Sequence, residues 1–208
     1  MRLSKWIIIA GLVLLVAVGG AAAWLTLKNA HTFSGVAASP PAVAANFTLT
    51  NGDGQIFSLD DLRGQWILLS YGYTSCPDVC PATLANLRQV KEALSPAQAE
   101  QVRVVFVTLD PERDSADILK RYVAHFGADF IGLTGSPDEV AAAAQAYGVK
   151  YEKKISVSAA GYLVSHSAYV YLIDPQFRLR LTFPFGVRSQ EIVSDLNYLI
   201  SRSSQKDE

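Results

Sequence analysis

Residues 65–81, QWILLSYGYTSCPDVCP, join two patterns that decide the fold. From Gln65 to Tyr73 the run is continuously apolar and aromatic over a strand's length, as in a strand covered on both faces. Cys76 and Cys80, the chain's two cysteines, follow at once. A helical pattern then runs through Leu84, Leu87, Val90 and Leu94 and stops near Ser95-Pro96. A loop between a buried strand and its helix is where a parallel α/β sheet presents its ligand site. Cys80 is expected to cap this helix, with Pro81 as its first residue. Orphan N–H groups and the helix dipole would then favour thiolate and lower the cysteine pKa.

Working outward, residues 46–50 (NFTLT), a turn at Asn51-Gly52-Asp53-Gly54, and QIFSL read as a hairpin before the first buried strand. RVVFVTLD, ending at Asp110, reads as a second buried strand. Ile118, Leu119, Tyr122 and Phe126 share one face of a helix over 115–126. DFIGLTG reads as a short strand, and Ser136-Pro137-Asp138-Glu139 opens a helix with an N-cap and Pro at its first position. SAYVYLID and FRLRLTF, parted by Asp174-Pro175-Gln176, form a further hairpin, and 188–201 closes the chain as an amphipathic helix. This order predicts a thioredoxin-like α/β sandwich with an N-terminal hairpin extension, over residues 46–202.

The chain has 208 residues, 50% hydrophobic, with 18 Lys+Arg against 19 Asp+Glu, a balance that argues against nucleic-acid binding by phosphate neutralisation. Charged residues, at 18%, fall below the roughly 25% of a soluble domain, and the amino terminus accounts for the deficit. Residues 6–27, WIIIAGLVLLVAVGGAAAWLTL, carry no charge and as a helix would span on the order of 30 Å. Arg2 and Lys5 before it would keep residues 1–5 in the cytoplasm and send the rest across. Ala21-Ala22-Ala23 would also suit signal-peptide cleavage, but the apolar run exceeds a signal core and continues into Trp24-Leu25, favouring an uncleaved anchor. The lack of a cysteine near its end excludes a cysteine-acylated lipoprotein anchor. Residues 28–45 read as a linker and 203–208 as a polar tail.

Three residues separate Cys76 from Cys80, one more than in the thioredoxin redox pair. Across one helical turn both sulfurs can converge on one ion, or bond to each other after a small backbone adjustment. A permanent disulfide would stabilise little over so short a loop. For a metal, a third ligand is needed among three histidines. His31 lies in the linker, His125 on a helix face where packing or solvent is the common role, and His166 in SHSAYVYLID at the entry of a strand-like run. Two thiolates with one imidazole form a soft set that suits Cu(I) and serves Cu(II) or Zn²⁺ if another ligand joins. Met1 is the sole methionine, which rules out a blue-copper axial Met.

The segments from Gly72 to Pro81, Thr108-Leu109-Asp110-Pro111-Glu112-Arg113-Asp114, and Tyr162 to Ser167 ahead of Tyr171 to Pro175 together resemble the Sco/SenC family. The resemblance runs from about Phe47 to the last helix, with Ser165 where relatives often carry Asp and Ser115 where Thr is usual. It implies a membrane-anchored, thioredoxin-like copper protein that assists assembly of the dinuclear copper centre in cytochrome c oxidase subunit II. By position, the implied copper ligands are Cys76, Cys80 and His166, for Cu(I), Cu(II) or both. The domain is then expected on the periplasmic side of a bacterial inner membrane, single-pass through 6–27. Its expected partners are oxidase subunit II and another periplasmic copper carrier or thiol reductase.

The expected action is that of a metallochaperone exchanging ligands with its client. The alternative is a thiol–disulfide oxidoreductase using Cys76 and Cys80 as a redox pair to reduce the client's cysteines. A peroxidase leaves His166 without a task, and a copper or redox sensor is the remaining reading. Asp110 and Asp114 either tune the site or form an Asp-Pro turn and a surface Arg113–Asp114 pair. Pro77 and Asp78 shape the cysteine loop, while Tyr71, Tyr73 and Phe106 serve as core or as cover over the metal.

Overall fold

The computed structural model describes residues 7, 9–16, 18–20, 31–155 and 161–204. The chain divides into two compact units, Met1–Thr32 and Phe33–Glu208. In the first, positions 7, 9–16 and 18–20 are helical with exposed apolar side chains such as Leu12, Leu14 and Leu15. Among the described residues no helix is long and apolar enough to cross a membrane. The expected 6–27 anchor falls partly outside the described residues, as do the cytoplasmic 1–5 segment and positions 205–208 of the tail.

The second unit is built on an eight-stranded sheet whose strands lie in the order β1 (Val36–Val43), β10 (Arg178–Pro184), β9 (Tyr169–Ile173), β4 (Trp66–Gly72), β5 (Val102–Thr108), β6 (Ile131–Thr134), β2 (Thr48–Asn51) and β3 (Ile56–Ser58). At its centre, β4 (Trp66–Gly72) pairs in parallel with β5 (Val102–Thr108), and β5 with β6 (Ile131–Thr134). Every residue of β4 is buried, as the unbroken apolar run from Trp66 requires. On one side β9 (Tyr169–Ile173) runs antiparallel to β4 and β10 (Arg178–Pro184) antiparallel to β9. On the other, the hairpin of β2 (Thr48–Asn51) and β3 (Ile56–Ser58) joins antiparallel to β6. Its turn forms because the Asn51 side chain accepts the N–H groups of Asp53 and Gln55, while Gly54 takes φ 77°.

The helices are α1 (Val79–Ala93), the short α2 (Pro96–Glu100), α3 (Ala116–Ala124), α4 (Pro137–Ala146) and α5 (Ser189–Ser204). Ser136 caps α4 as its sequence predicts: its hydroxyl accepts from Glu139 N–H, and Glu139 accepts from Ser136 N–H at 2.8 Å. Leu84, Leu87 and Val90 of α1 face a common core with Trp66, Phe106, Phe177 and Phe183. The chain is thus the thioredoxin-like sandwich its order of elements implies.

Two segments depart from the reading of the sequence. Within the expected linker, Val36–Val43 forms strand β1 at the sheet edge, antiparallel to β10. It lacks strand alternation because it is exposed almost throughout, and the register shifts between Ala37 and Ala42, where Pro40 and Pro41 offer no N–H to the ladder. Residues 151–166, given no strand in that reading, contain β7 (Tyr151–Ile155) and β8 (Tyr162–His166), a two-stranded antiparallel sheet of their own. Glu152, Lys153 and Lys154 are exposed, so β7 carries no apolar stripe to betray it.

Candidate metal centre

The cysteine loop leaves β4 at Gly72 and enters α1 at Val79. The helix therefore begins earlier than Cys80: Asp78 holds the N-cap position without a side-chain cap bond, Cys80 is the second helical residue and Pro81 the third. Pro81 is tolerated there because first-turn N–H groups have no helical acceptor. The Cys80 N–H is one of these orphans, and it donates to Cys76 Sγ at 3.4 Å. Cys76, outside the helix, thus does the capping that Asp78 does not.

This arrangement splits the two thiols. Cys76 is half-buried and Cys80 buried, and both are free. The hydrogen bond from the Cys80 thiol holds Cys76 down at about 3, helped by His166 and by the backbone N–H groups of Asp78 and Cys80 against the opposing effect of burial. Cys80 moves the other way, because donating to Cys76 and being buried both favour its protonated form. The hydrogen bond between the two thiols therefore lowers one pKa and raises the other.

His166 arrives from the far end of the sequence as the last residue of β8. Its Nε2 lies 3.4 Å from Cys80 Sγ, and its Nδ1 is 3.0 Å from the Ser167 carbonyl oxygen. A carbonyl only accepts, so Nδ1 carries the proton and Nε2 faces the sulfurs, the orientation a metal-ligating imidazole needs. Burial pulls the imidazole pKa down, but the bonds to Cys76 and the Ser167 carbonyl, with the Cys76 charge, outweigh it and leave it raised. One ligand atom from each of Cys76, Cys80 and His166 lies within 4.8 Å of the others. His125 is exposed at the end of α3, and neither it nor His31 joins a metal-competent cluster among the described residues.

The walls are built from the same sheet end. Gly72 is packed so closely that a Cβ there would sit 2.6 Å from Cys80 Sγ and 2.8 Å from the Phe106 ring. Tyr73 stands edge-on to His166 with ring centroids 6.1 Å apart, as cover. Tyr71 is buried and donates its hydroxyl to the Ala143 carbonyl, a core role. Beside Cys80 and His166 opens a cavity of about 250 Å³, walled by Tyr169, Phe183, Phe185 and Val187.

Asp110 and Asp114 are fully buried, which removes a solvated surface pair from consideration. Asp114 accepts from Thr74 N–H at 2.9 Å, from the Thr74 hydroxyl at 2.5 Å and from the Thr108 hydroxyl at 2.6 Å. Arg113 pairs with Asp110, which also accepts the Tyr162 hydroxyl at 2.7 Å. The sequence holds no local sign of these partners, since Thr74 and Tyr162 lie 40 and 52 residues away.

Residues 36–201 match the SCO1/SenC family model. A SCO2-like protein of Rickettsia felis is 33% identical over 155 residues, covering 74% of this chain and 75% of its own. Apo Sco1 from Thermus thermophilus superposes with a TM-score of 0.74 at 37% identity, covering 82% of this chain and 99% of that one. Copper-bound ScoI of Arabidopsis thaliana gives 0.73 at 32% identity, covering 77% and 99%. The chain spans about half the length of the mitochondrial relatives it matches.

Proposed function

The chain belongs to the SCO1/SenC family, and from that premise we propose that it carries copper on Cys76, Cys80 and His166 to the dinuclear copper centre of a cytochrome c oxidase subunit II. The observation that carries this reading is the convergence of two sulfurs and one imidazole nitrogen within 4.8 Å at an open sheet end. Copper is the cargo. The set is soft enough for Cu(I), and three ligands rather than four leave a path for exchange. Cys76 and His166 are half-buried and Cys80 is buried, so an incoming client thiolate displaces one of the first two before Cys80. The apolar cavity beside Cys80 and His166 gives the client a seat next to the ion. The amino-terminal helix is read as an anchor that keeps the domain on the outer face of a bacterial inner membrane, facing its client.

A second reading has its own support in the lowered pKa of Cys76. The Cys76 thiolate attacks one sulfur of a client disulfide, forming a mixed disulfide and releasing the other client sulfur as thiolate. Cys80 then loses its proton and attacks Cys76, so the client leaves as a dithiol and this chain as the Cys76–Cys80 disulfide. His166 helps hold Cys76 as thiolate but forms and breaks no covalent bond in that exchange.

The two readings separate at His166. His166→Ala should remove nitrogen coordination from the copper X-ray absorption spectrum, while His125→Ala should leave it in place. In a strain that depends on this protein for its oxidase, His166→Ala at low copper should abolish oxidase assembly. Normal assembly with His166→Ala, but none with Cys76→Ser or Cys80→Ser, would reject the carrier and leave the reductase.

A further inference from the structure

Among the described residues the β7–β8 sheet shares no strand pairing with the eight-stranded sheet, so no backbone ladder between the two sets His166 against the cysteine loop. Val164 anchors the middle of β8 by burial, and Ser167 N–H donates to the Lys150 carbonyl at the near end. The far end of β8 is Tyr162, four residues from His166 and on the same face of the strand. There the guanidinium of Arg113 lies 3.8 Å over the Tyr162 ring and donates to the Tyr162 carbonyl at 3.2 Å. Asp110 pairs with Arg113 and accepts the Tyr162 hydroxyl. One residue is thus held by its ring face, its backbone and its hydroxyl at once.

We propose that Arg113, braced by Asp110, is a positioning residue that sets the place of His166 by clasping Tyr162. The same short loop ends in Asp114, whose carboxylate holds Thr74, two residues before Cys76. Within residues 110–114, just beyond β5, Asp110, Arg113 and Asp114 therefore index both halves of the centre against one strand end. The neighbouring link from Lys153 to Glu112, 2.6 Å long, joins two well-exposed side chains and contributes little by comparison. Lysine cannot replace Arg113 fully, because only the planar fork can stack on the ring while donating to both a carboxylate and a carbonyl.

This inference rests on the copper reading for its metal-bound readout, and its apo readout is independent of that reading. In the full chain, Arg113→Ala should lower Cu(I) affinity by tenfold or more in competition with a chromophoric chelator, the size seen when a ligand's supporting partner is removed. It should weaken the nitrogen contribution in X-ray absorption and keep both sulfurs. Arg113→Lys should recover part of the loss, and Glu112→Gln should match the parent. In the copper-free chain the His166 imidazole resonances should shift and broaden in Arg113→Ala while thermal unfolding stays cooperative. Should that variant fail to fold, Tyr162→Phe removes only the hydroxyl, and a loss of about threefold is expected. Parent-like affinity and parent-like His166 resonances in Arg113→Ala, or in Tyr162→Phe where the first does not fold, would overturn the proposal. A parent chain that binds copper without nitrogen would reject the ligand assignment instead, and the copper-free resonances would still decide the clasp.

Discussion

The Sγ of Cys76 accepts the backbone N–H of Cys80, the residue four positions on, at 3.4 Å. A thiol outside the helix thereby fills the cap position's role, and the thiol inside the helix is the one that stays protonated. Two cysteines that look equivalent in the sequence have opposite acid–base character, because the Cys80 thiol donates to Cys76 Sγ and so favours thiolate at Cys76 and thiol at Cys80.

That asymmetry predicts pH behaviour. With Cys76 near 3, one thiol should react with iodoacetamide at a rate flat from about pH 5 to 8, while Cys80 reacts only above the ordinary thiol range. Peptide mapping of the alkylated chain identifies which cysteine reacts. A group whose folded pKa is depressed adds stability that is complete above its unfolded pKa, about 8.5, and is lost as pH falls toward the folded value. The copper-free parent should therefore lose more stability than Cys76→Ser between pH 8 and 5. An equal pH slope for both would contradict it.

Oxidation should compete with copper. The thiols sit close enough to bond after a small backbone adjustment, and a disulfide leaves no thiolate to ligate. Copper loading should fall after treatment with oxidised glutathione and return with dithiothreitol, with a matching change in free-thiol count. Retention of full loading by the oxidised chain would refute this.

Gly72→Ala tests the close approach of the sheet to the site. The added Cβ meets both Cys80 Sγ and the buried Phe106 ring, neither a flexible end on an open surface, so Cys80 must shift. Overpacking of this kind costs about 1–3 kcal/mol. Denaturant unfolding should show that loss, and the cysteine–copper charge-transfer absorption should weaken or move.

Asp114→Ala leaves the Thr74 and Thr108 donors without their acceptor inside the protein. A buried donor such as the Thr108 hydroxyl costs about 1–3 kcal/mol when stranded and the half-buried Thr74 donors cost less, so a loss on the order of 3 kcal/mol is expected from urea unfolding. Asp114→Asn retains a carbonyl oxygen and should lose less. A surface-like change under 0.5 kcal/mol would show that the bonds do not hold the cysteine loop.

By itself the sequence determined the features that short-range chemistry can write. The unbroken apolar run of β4, the capped start of α4 at Ser136, the Asn51 turn and the four-residue spacing of the cysteines each follow from residues within one turn or strand. The sheet edge did not follow, because Val36–Val43 is exposed and its strand geometry comes from the β10 ladder alone. Nor did the hairpin that delivers His166, whose outer strand exposes Glu152, Lys153, Lys154 and Ile155 alike and so shows no apolar stripe. Only the tertiary structure brings His166 to Cys80, 86 residues away, and makes Asp110, Arg113 and Asp114 a brace between the two. Such contacts depend on where sheet edges and loop ends meet in space, and hydrophobic periodicity carries no record of a buried hydrogen bond between distant polar residues.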